Sequence, residues 1–359
     1  MDKTMQKRIE EFNRFAMNTD LKQVSNGLYN GKMGICIYFF ELAHLTSEKK
    51  YRFFAEKLLD DVVNNVSENI GFKDENELTG ICMAINYLLD KGYVTGNPNN
   101  VLKELDNRII RLLLFNYGIE NDKNLNLTVI NSLLGNLLYL AVRLQNSRLN
   151  RDERSIIQNV IIENINRIET NETNKFIEPP FFSVTEYFIP SYLQLLRQIY
   201  KLHFFDLKIE KIIEGLSCQL LNCYPQNKAN RLLLSLAMQE TMETFGNPNG
   251  WDEHIEVLQQ HLVIPQIIHE FRNKNVAFFN GLCGFFYLLR KTGKGDKYNK
   301  LFLDKISNSD VWLFLENKES LNGSIGLYGG LSGVALTFLH ITHNPDSVTF
   351  FDVINSQYV

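Results

Sequence analysis

The residue types that carry chemistry are sparse in this chain, and their spacing keeps them apart. Cys36 and Cys82 each end a "GIC" triplet, and Cys283 stands just before Gly284. Three thiolates converging from different helices would suit zinc, which takes soft sulfur ligands in tetrahedral sites. Each of these cysteines, however, lies in an apolar run, where a buried thiol behaves as a small hydrophobe. The sequence alone leaves an unusual metal site at Cys36, Cys82 and Cys283 open. Glu77 and Glu186 are the acids nearest the starts of apolar segments. Two facing carboxylates could hydrolyse a glycoside, and Glu186 is the one candidate for an acid or base, but nothing in the spacing brings the two together. "WDEHIEVLQQH" holds Asp252, Glu253, His254 and His261. The two histidines, seven apart, would share one face of a helix without forming a metal signature such as HExxH, so a solvated helix start is expected there. Ser332 in "GLSGV" lacks both the spacing and the preceding strand of a nucleophile elbow.

The elements that must position these residues are helical. Apolar residues recur at three and four almost everywhere, and period-2 alternation is nearly absent. "FAEKLLDDVVNNV" (54–66), "VLKELDNRIIRLLLF" (101–115), "RSIIQNVIIENINRI" (154–168), "IEKIIEGLSCQLL" (209–221) and "HIEVLQQHLVIPQIIHEF" (254–271) read as amphipathic helices. Between them lie segments that are apolar nearly all round, which marks buried helices. Their starts, at 34, 80, 135, 190, about 231–235, 284 and 333, recur roughly every 45–55 residues. Each unit is then a helical hairpin that cannot bury its own apolar face. The fold class expected is all-α, an α/α toroid of about seven hairpins in inner and outer rings, with residues 1–359 as one domain.

Three stretches share one device: "YNGKMG" (29–34), "FFNGLCG" (278–284) and "YGGLSG" (328–333). Each is an aromatic, then Asn or Gly, then Gly-x-x-Gly, then an apolar helix. Gly31, Gly34, Gly80, Gly135, Gly281, Gly284, Gly330 and Gly333 are expected to begin inner helices, by tolerating positive φ and close packing. A functional reading adds that helix N-termini converge at one mouth and offer unpaired N–H groups there. The device stands near both ends of the chain, which is expected if those ends meet.

Bulk properties exclude several classes. Hydrophobic residues make up 45% and charged residues 22% of 359, enough apolar material for a large core. The formal net charge of −4, with scattered Lys and Arg, gives no electrostatic case for nucleic acid. No apolar run approaches the ~20 residues of a membrane span, and the charged start "MDKTMQKRIEEF" has no secretory h-region. Five cysteines at irregular spacing suit reduced thiols, so a cytoplasmic protein is expected.

The stretches "GLYNGKMGICIYFFELA", "FFNGLCGFFYLL" and "SIGLYGGLSGVALTFL", set in the seven-fold alternation, resemble the lanthionine synthetase C-like (LanC-like) family. The resemblance implies an α/α toroid. In active members it also implies a zinc-dependent cyclase that adds a cysteine thiol to a dehydrated Ser or Thr of a ribosomal peptide. Zinc there lowers the thiol pKa. The family's Cys-His-Gly before the sixth inner helix falls on Phe279-Asn280-Gly281, and its Cys before the fifth falls near Asn230. An acid/base Asp before the third would be Thr128, and a His before the fourth falls near Glu186. All of these have changed. The resemblance therefore implies a divergent member that binds no zinc or other cofactor and whose enzymatic status is open. It would bind a peptide substrate or a modifying enzyme at a mouth lined by Tyr29, Asn30, Thr128, Glu186, Phe279, Asn280 and Tyr328. A toroid enzyme of different chemistry and a structural scaffold are the alternatives.

Overall fold

The structure is a computed structural model. It describes residues 3–69, 75–115, 127–145, 149–170, 175–248, 250–315 and 325–343. Among these residues there is no strand. The chain begins with α1 (Lys3–Asn18), α2 (Lys32–Thr46), α3 (Lys49–Asn69) and α4 (Glu75–Asp90). It continues through α5 (Pro98–Val101), α6 (Lys103–Phe115), α7 (Leu127–Gln145), α8 (Arg151–Thr170), α9 (Phe188–Tyr200), α10 (Asp206–Leu221), α11 (Lys228–Phe245) and α12 (Trp251–Gln259). The final helices are α13 (Ile264–Glu270), α14 (Leu282–Lys291), α15 (Asn299–Ser307) and α16 (Leu331–His343).

The helices fall into two compact units. Among the described residues, the first draws on 3–93 and 263–343 and the second on 94–262. In the first, α2 packs on α3, α4 and α16, and α16 packs on α14, so the first and last of the apolar helices are neighbours. In the second, α7, α9 and α11 pack in order, with α8 on α7, α10 on α9 and α12 on α11. Sequence dictates which helix takes which place. Every residue of α2 from Lys32 to Leu42 is buried, because no face of "KMGICIYFFEL" is polar enough to meet water. In α8 only Ile157, Val160, Ile161, Asn164, Ile165 and Ile168 are buried, the one stripe that a 3.6-residue period presents.

Three expectations about helices change. The segment 254–271 is two helices. His261 takes a left-handed φ of 61° and Pro265 stands in the first turn of α13, so the chain turns between them. His254 and His261 therefore do not share a helix face. Gly80 and Gly135 lie inside α4 and α7, well past their first turns, because both helices extend N-terminally of the apolar run.

Candidate functional site

The three glycine loops are built alike. Lys32 N–H donates to the Ser25 carbonyl at 2.8 Å and Leu282 N–H to that of Asn275 at 2.9 Å. Met33 N–H donates to Asn26, Cys283 N–H to Val276 and Ser332 N–H to Ile325, at 3.3, 3.2 and 3.1 Å. Donor and acceptor are seven positions apart in every case (32 to 25, 282 to 275, 332 to 325). Each loop thus folds back and hands its own carbonyls to the opening N–H groups of α2, α14 or α16, groups that a helix cannot satisfy internally. The expected patch of unpaired N–H groups is not formed there, because the loops have already used those donors.

Glycine is needed in these loops for closeness. Gly31 (φ −119°, ψ −172°) and Gly281 (φ −128°, ψ −169°) are extended, which any residue can adopt, so the positive φ expected of them is not found. A Cβ on Gly31 would stand 2.5 Å from the Ser25 and Gly27 carbonyl oxygens, and one on Gly281 would stand 2.6 Å from that of Ala277. The carbonyls that cap the helix leave no room for a side chain.

The loops also bind one another. Leu327 and Tyr328 N–H donate to the carbonyls of Leu28 (3.4 Å) and Tyr29 (3.1 Å), and Phe279 N–H donates to that of Tyr328 (2.8 Å). This ladder brings the equivalent aromatics of the three motifs together. Tyr29 meets Phe279 edge-on with ring centroids 4.9 Å apart and stacks within 8° of parallel on Tyr328 at 5.9 Å. Phe278 closes the cluster edge-on to Tyr328 at 5.5 Å. Such geometries are preferred by ring quadrupoles. Tyr328 is buried, and burial raises its phenol above the ordinary range. Tyr29, Asn30 and Phe279 are half-buried and Asn280 is exposed. Five of the seven residues expected at the mouth (Tyr29, Asn30, Phe279, Asn280 and Tyr328) therefore lie on these linked loops.

The other two belong to the second unit. Glu186 is exposed, and its backbone N–H donates to the Ser183 hydroxyl at 3.1 Å. Thr128 falls in the first turn of α7, and its side chain lies outside the described residues. In the same unit α11 starts without glycine. The Glu178 carboxylate accepts from the N–H groups of Gln226 (2.7 Å) and Asn227 (2.9 Å) and from the Asn230 side-chain amide (3.0 Å). The Asn227 side chain caps α11 by accepting from Ala229 and Asn230 N–H.

Neither Gly80 nor Gly135 opens a helix. A Cβ on Gly80 would approach the Leu28 Cβ to 2.9 Å, so α4 does need a small residue against the first loop. A Cβ on Gly135 would meet nothing within 4 Å among the described residues, so no packing role is found for it. The thiols are core groups. Cys36 donates to the Ala55 carbonyl at 3.4 Å, and burial pushes it well above the usual thiol range. Burial pushes Cys283 up to about 12. Cys82 is fully buried. Ser332 Oγ donates to the Ile325 carbonyl at 2.6 Å inside the loop. His254 Nε2 contacts the Cys223 carbonyl at 3.0 Å. Among the described residues, no three His, Cys, Asp or Glu side chains stand together to hold a metal, and no helix is long and apolar enough to cross a membrane.

Sequence reading missed Lys32, Glu178 and Asn227. Lys32 carried a signal: "GKMG" has Lys where "GLCG" and "GLSG" have Leu282 and Leu331. All three positions are buried.

Comparison with known proteins agrees with this architecture. Residues 22–183 match the family model "Lanthionine synthetase C-like protein". The fold is similar to that of a solved "Nisin cyclase", an α/α toroid, with a TM-score of 0.63 and 12% identity over 98% of this chain and 99% of that one. Among curated proteins none matches the chain.

Proposed function

We propose that the chain, whose residues 22–183 match the LanC-like family model, is a divergent LanC-like protein that serves ribosomal-peptide modification as a cyclase-inactive member. It would work in the cytoplasm, binding a peptide or a modifying enzyme at the mouth formed by Tyr29, Asn30, Phe279, Asn280 and Tyr328. One observation carries this reading. Phe279, in the position of the family's first sixth-repeat zinc ligand, is packed edge-on against Tyr29 at 4.9 Å. A phenyl ring has no lone pair for zinc, and Asn280 beside it is a poor replacement for imidazole. Asn230, near the fifth-repeat ligand position, is buried with its amide donating to Glu178. The nearest thiol in sequence, Cys283, is held protonated by burial, whereas zinc takes the thiolate. These residues do not fit the family's zinc.

What the loops do offer is a recognition surface. Half-buried aromatic rings supply contact area at low entropic cost, and the exposed Asn280 amide suits a peptide backbone. Two measurements test this. Purified protein should contain no stoichiometric zinc, and bound zinc that is lost on changing loop residues would overturn the reading. A peptide that binds the wild type should lose affinity at least about tenfold on Phe279→Ala with Asn280→Ala, as expected where a central aromatic anchor is removed. Undiminished binding would place recognition elsewhere.

A further inference from the structure

We infer that Lys32 is the cationic anchor of this surface and takes a carboxylate from an acidic residue of the bound peptide; the inference rests on the recognition reading above. Four cationic side chains are buried among the described residues: Lys32, Arg143, Arg197 and Arg231. Arg143 is paired with Asp106 at 2.9 Å and Arg197 with Glu240 at 2.7 Å. Arg231 donates to the Tyr224 hydroxyl at 2.5 Å and lies over its ring. Lys32, only 4% exposed, has neither an acid within 4.0 Å nor a side-chain hydrogen bond among the described residues. Its ammonium is also not among the sealed polar atoms that lack a partner. The stem is therefore enclosed and the ammonium meets solvent through a narrow opening.

A lysine stem held in an enclosed site loses rotamer freedom and gains no ion pair within 4.0 Å among the described residues, and the same position is filled by Leu282 and Leu331 in the sister loops. The position therefore does not need a lysine for packing. Lys32 is the first residue of α2. A helical Cβ tilts toward the N-terminus, here the end that carries Tyr29 and Asn30. The positive end of the helix dipole lies there too. Since the Lys32 and Met33 N–H groups are already bonded to Ser25 and Asn26, the ammonium is the donor left at this end to meet an anion. A carboxylate in an extended peptide lying along the loop of Tyr29 and Asn30 would match an ammonium at the start of α2.

The test is selection of random heptapeptides by display on the full chain, run in parallel on wild type, Lys32→Leu and Lys32→Arg. Leucine is already accommodated at the equivalent positions, so Lys32→Leu should fold, which a thermal melt confirms. Asp and Glu should be enriched in the wild-type and Lys32→Arg pools and not in the Lys32→Leu pool. For a selected peptide, Glu→Gln should weaken wild-type binding about tenfold, the size of a hydrogen bond between charged groups, and leave Lys32→Leu binding unchanged. Equal acid content in the Lys32→Leu pool overturns the role of Lys32 while leaving recognition intact. Enrichment of nothing on the wild type, or of peptides indifferent to Phe279→Ala with Asn280→Ala, overturns the recognition reading and this inference with it.

Discussion

The two units solve one problem in two ways. Each must satisfy the opening N–H groups of apolar helices that lie too deep for water. The first unit uses backbone: the loops before α2, α14 and α16 curl back and present their own carbonyls. The second unit, at α11, uses side chains: Asn227 accepts from the Ala229 and Asn230 N–H groups, and Glu178 holds the Gln226 and Asn227 N–H groups just before the helix. Backbone capping demands glycine, since the carbonyls must come within 2.5–2.7 Å of where a Cβ would be. Side-chain capping does not, so the fifth repeat could lose its glycines and still start a helix. Glycine loss in the middle of the chain therefore marks a change in capping chemistry with the helical repeat kept.

The sharpest way to break this comparison is Gly34→Ala. A Cβ there would stand 2.5 Å from both the Leu28 carbonyl oxygen and the Leu327 nitrogen, backbone atoms of the two joined loops. Overpacking against backbone should cost about 3 kcal/mol, read by denaturant unfolding. A loss below ~1 kcal/mol would mean the loops can part, and that their contact is not what fixes them.

Glu178→Ala probes the other solution. It removes a charged acceptor from two backbone N–H groups and the Asn230 amide. A loss of about 2 kcal/mol is expected, with Glu178→Gln between the two because one oxygen acceptor remains. The same substitutions should leave peptide selection at the glycine loops unchanged. If Glu178→Ala altered selection, capping in the second unit would be coupled to recognition.

The units also differ in how they bury an acid. Asp106 lies against Arg143 and accepts from Tyr139. Glu41 in the first unit accepts from phenols, with the Tyr87 and Tyr93 hydroxyls both on Oε1. Burial is the leading cause that raises Glu41 above the usual carboxylate range, and its bonds to Tyr87 and Tyr93, with Lys91 and His44 nearby, oppose it. A folded pKa above the unfolded one gives stability that is fully present at low pH and lost as pH rises through the folded value. Melting temperature should therefore fall above pH ~4.5, the ordinary carboxylate value, more steeply in wild type than in Glu41→Gln. Parallel pH profiles would show that Glu41 titrates alike in the folded and unfolded chain.

Much of the fold was legible because it is written in period and repetition. The all-round apolar composition of α2 and the single stripe of α8 each dictate one burial pattern, and the echo of Tyr29-Asn30-Gly31 in Phe279-Asn280-Gly281 marks equivalent loops. The neighbourhood of α2 and α16 followed from the same echo at both ends. What could not be read was set by contacts between distant residues. No local rule says that Glu178 reaches Asn227. The break between α12 and α13 turned on a left-handed His261, which periodicity does not encode. Lys32 was visible only as a mismatch, and its meaning came from burial without a partner among the described residues. Glu186 looked promising beside an apolar helix, yet it is exposed, because the segment before α9 turns Tyr187 inward instead.

The smallest expected effect has the opposite sign and isolates what glycine is for. Gly135 occupies the repeat position of the other inner-helix glycines, but it sits in the interior of α7 with nothing within 4 Å of an added Cβ among the described residues. In a helix interior glycine is worse than alanine by roughly 0.5–1 kcal/mol, through the backbone entropy it loses on folding. Gly135→Ala should therefore stabilise the protein by about that amount, where Gly34→Ala destabilises it. If Gly135→Ala instead cost stability, repeat position would matter by itself, and the second unit would hold a close backbone approach like that of the first. A gain would mean that a glycine here is required only where another backbone comes to meet it.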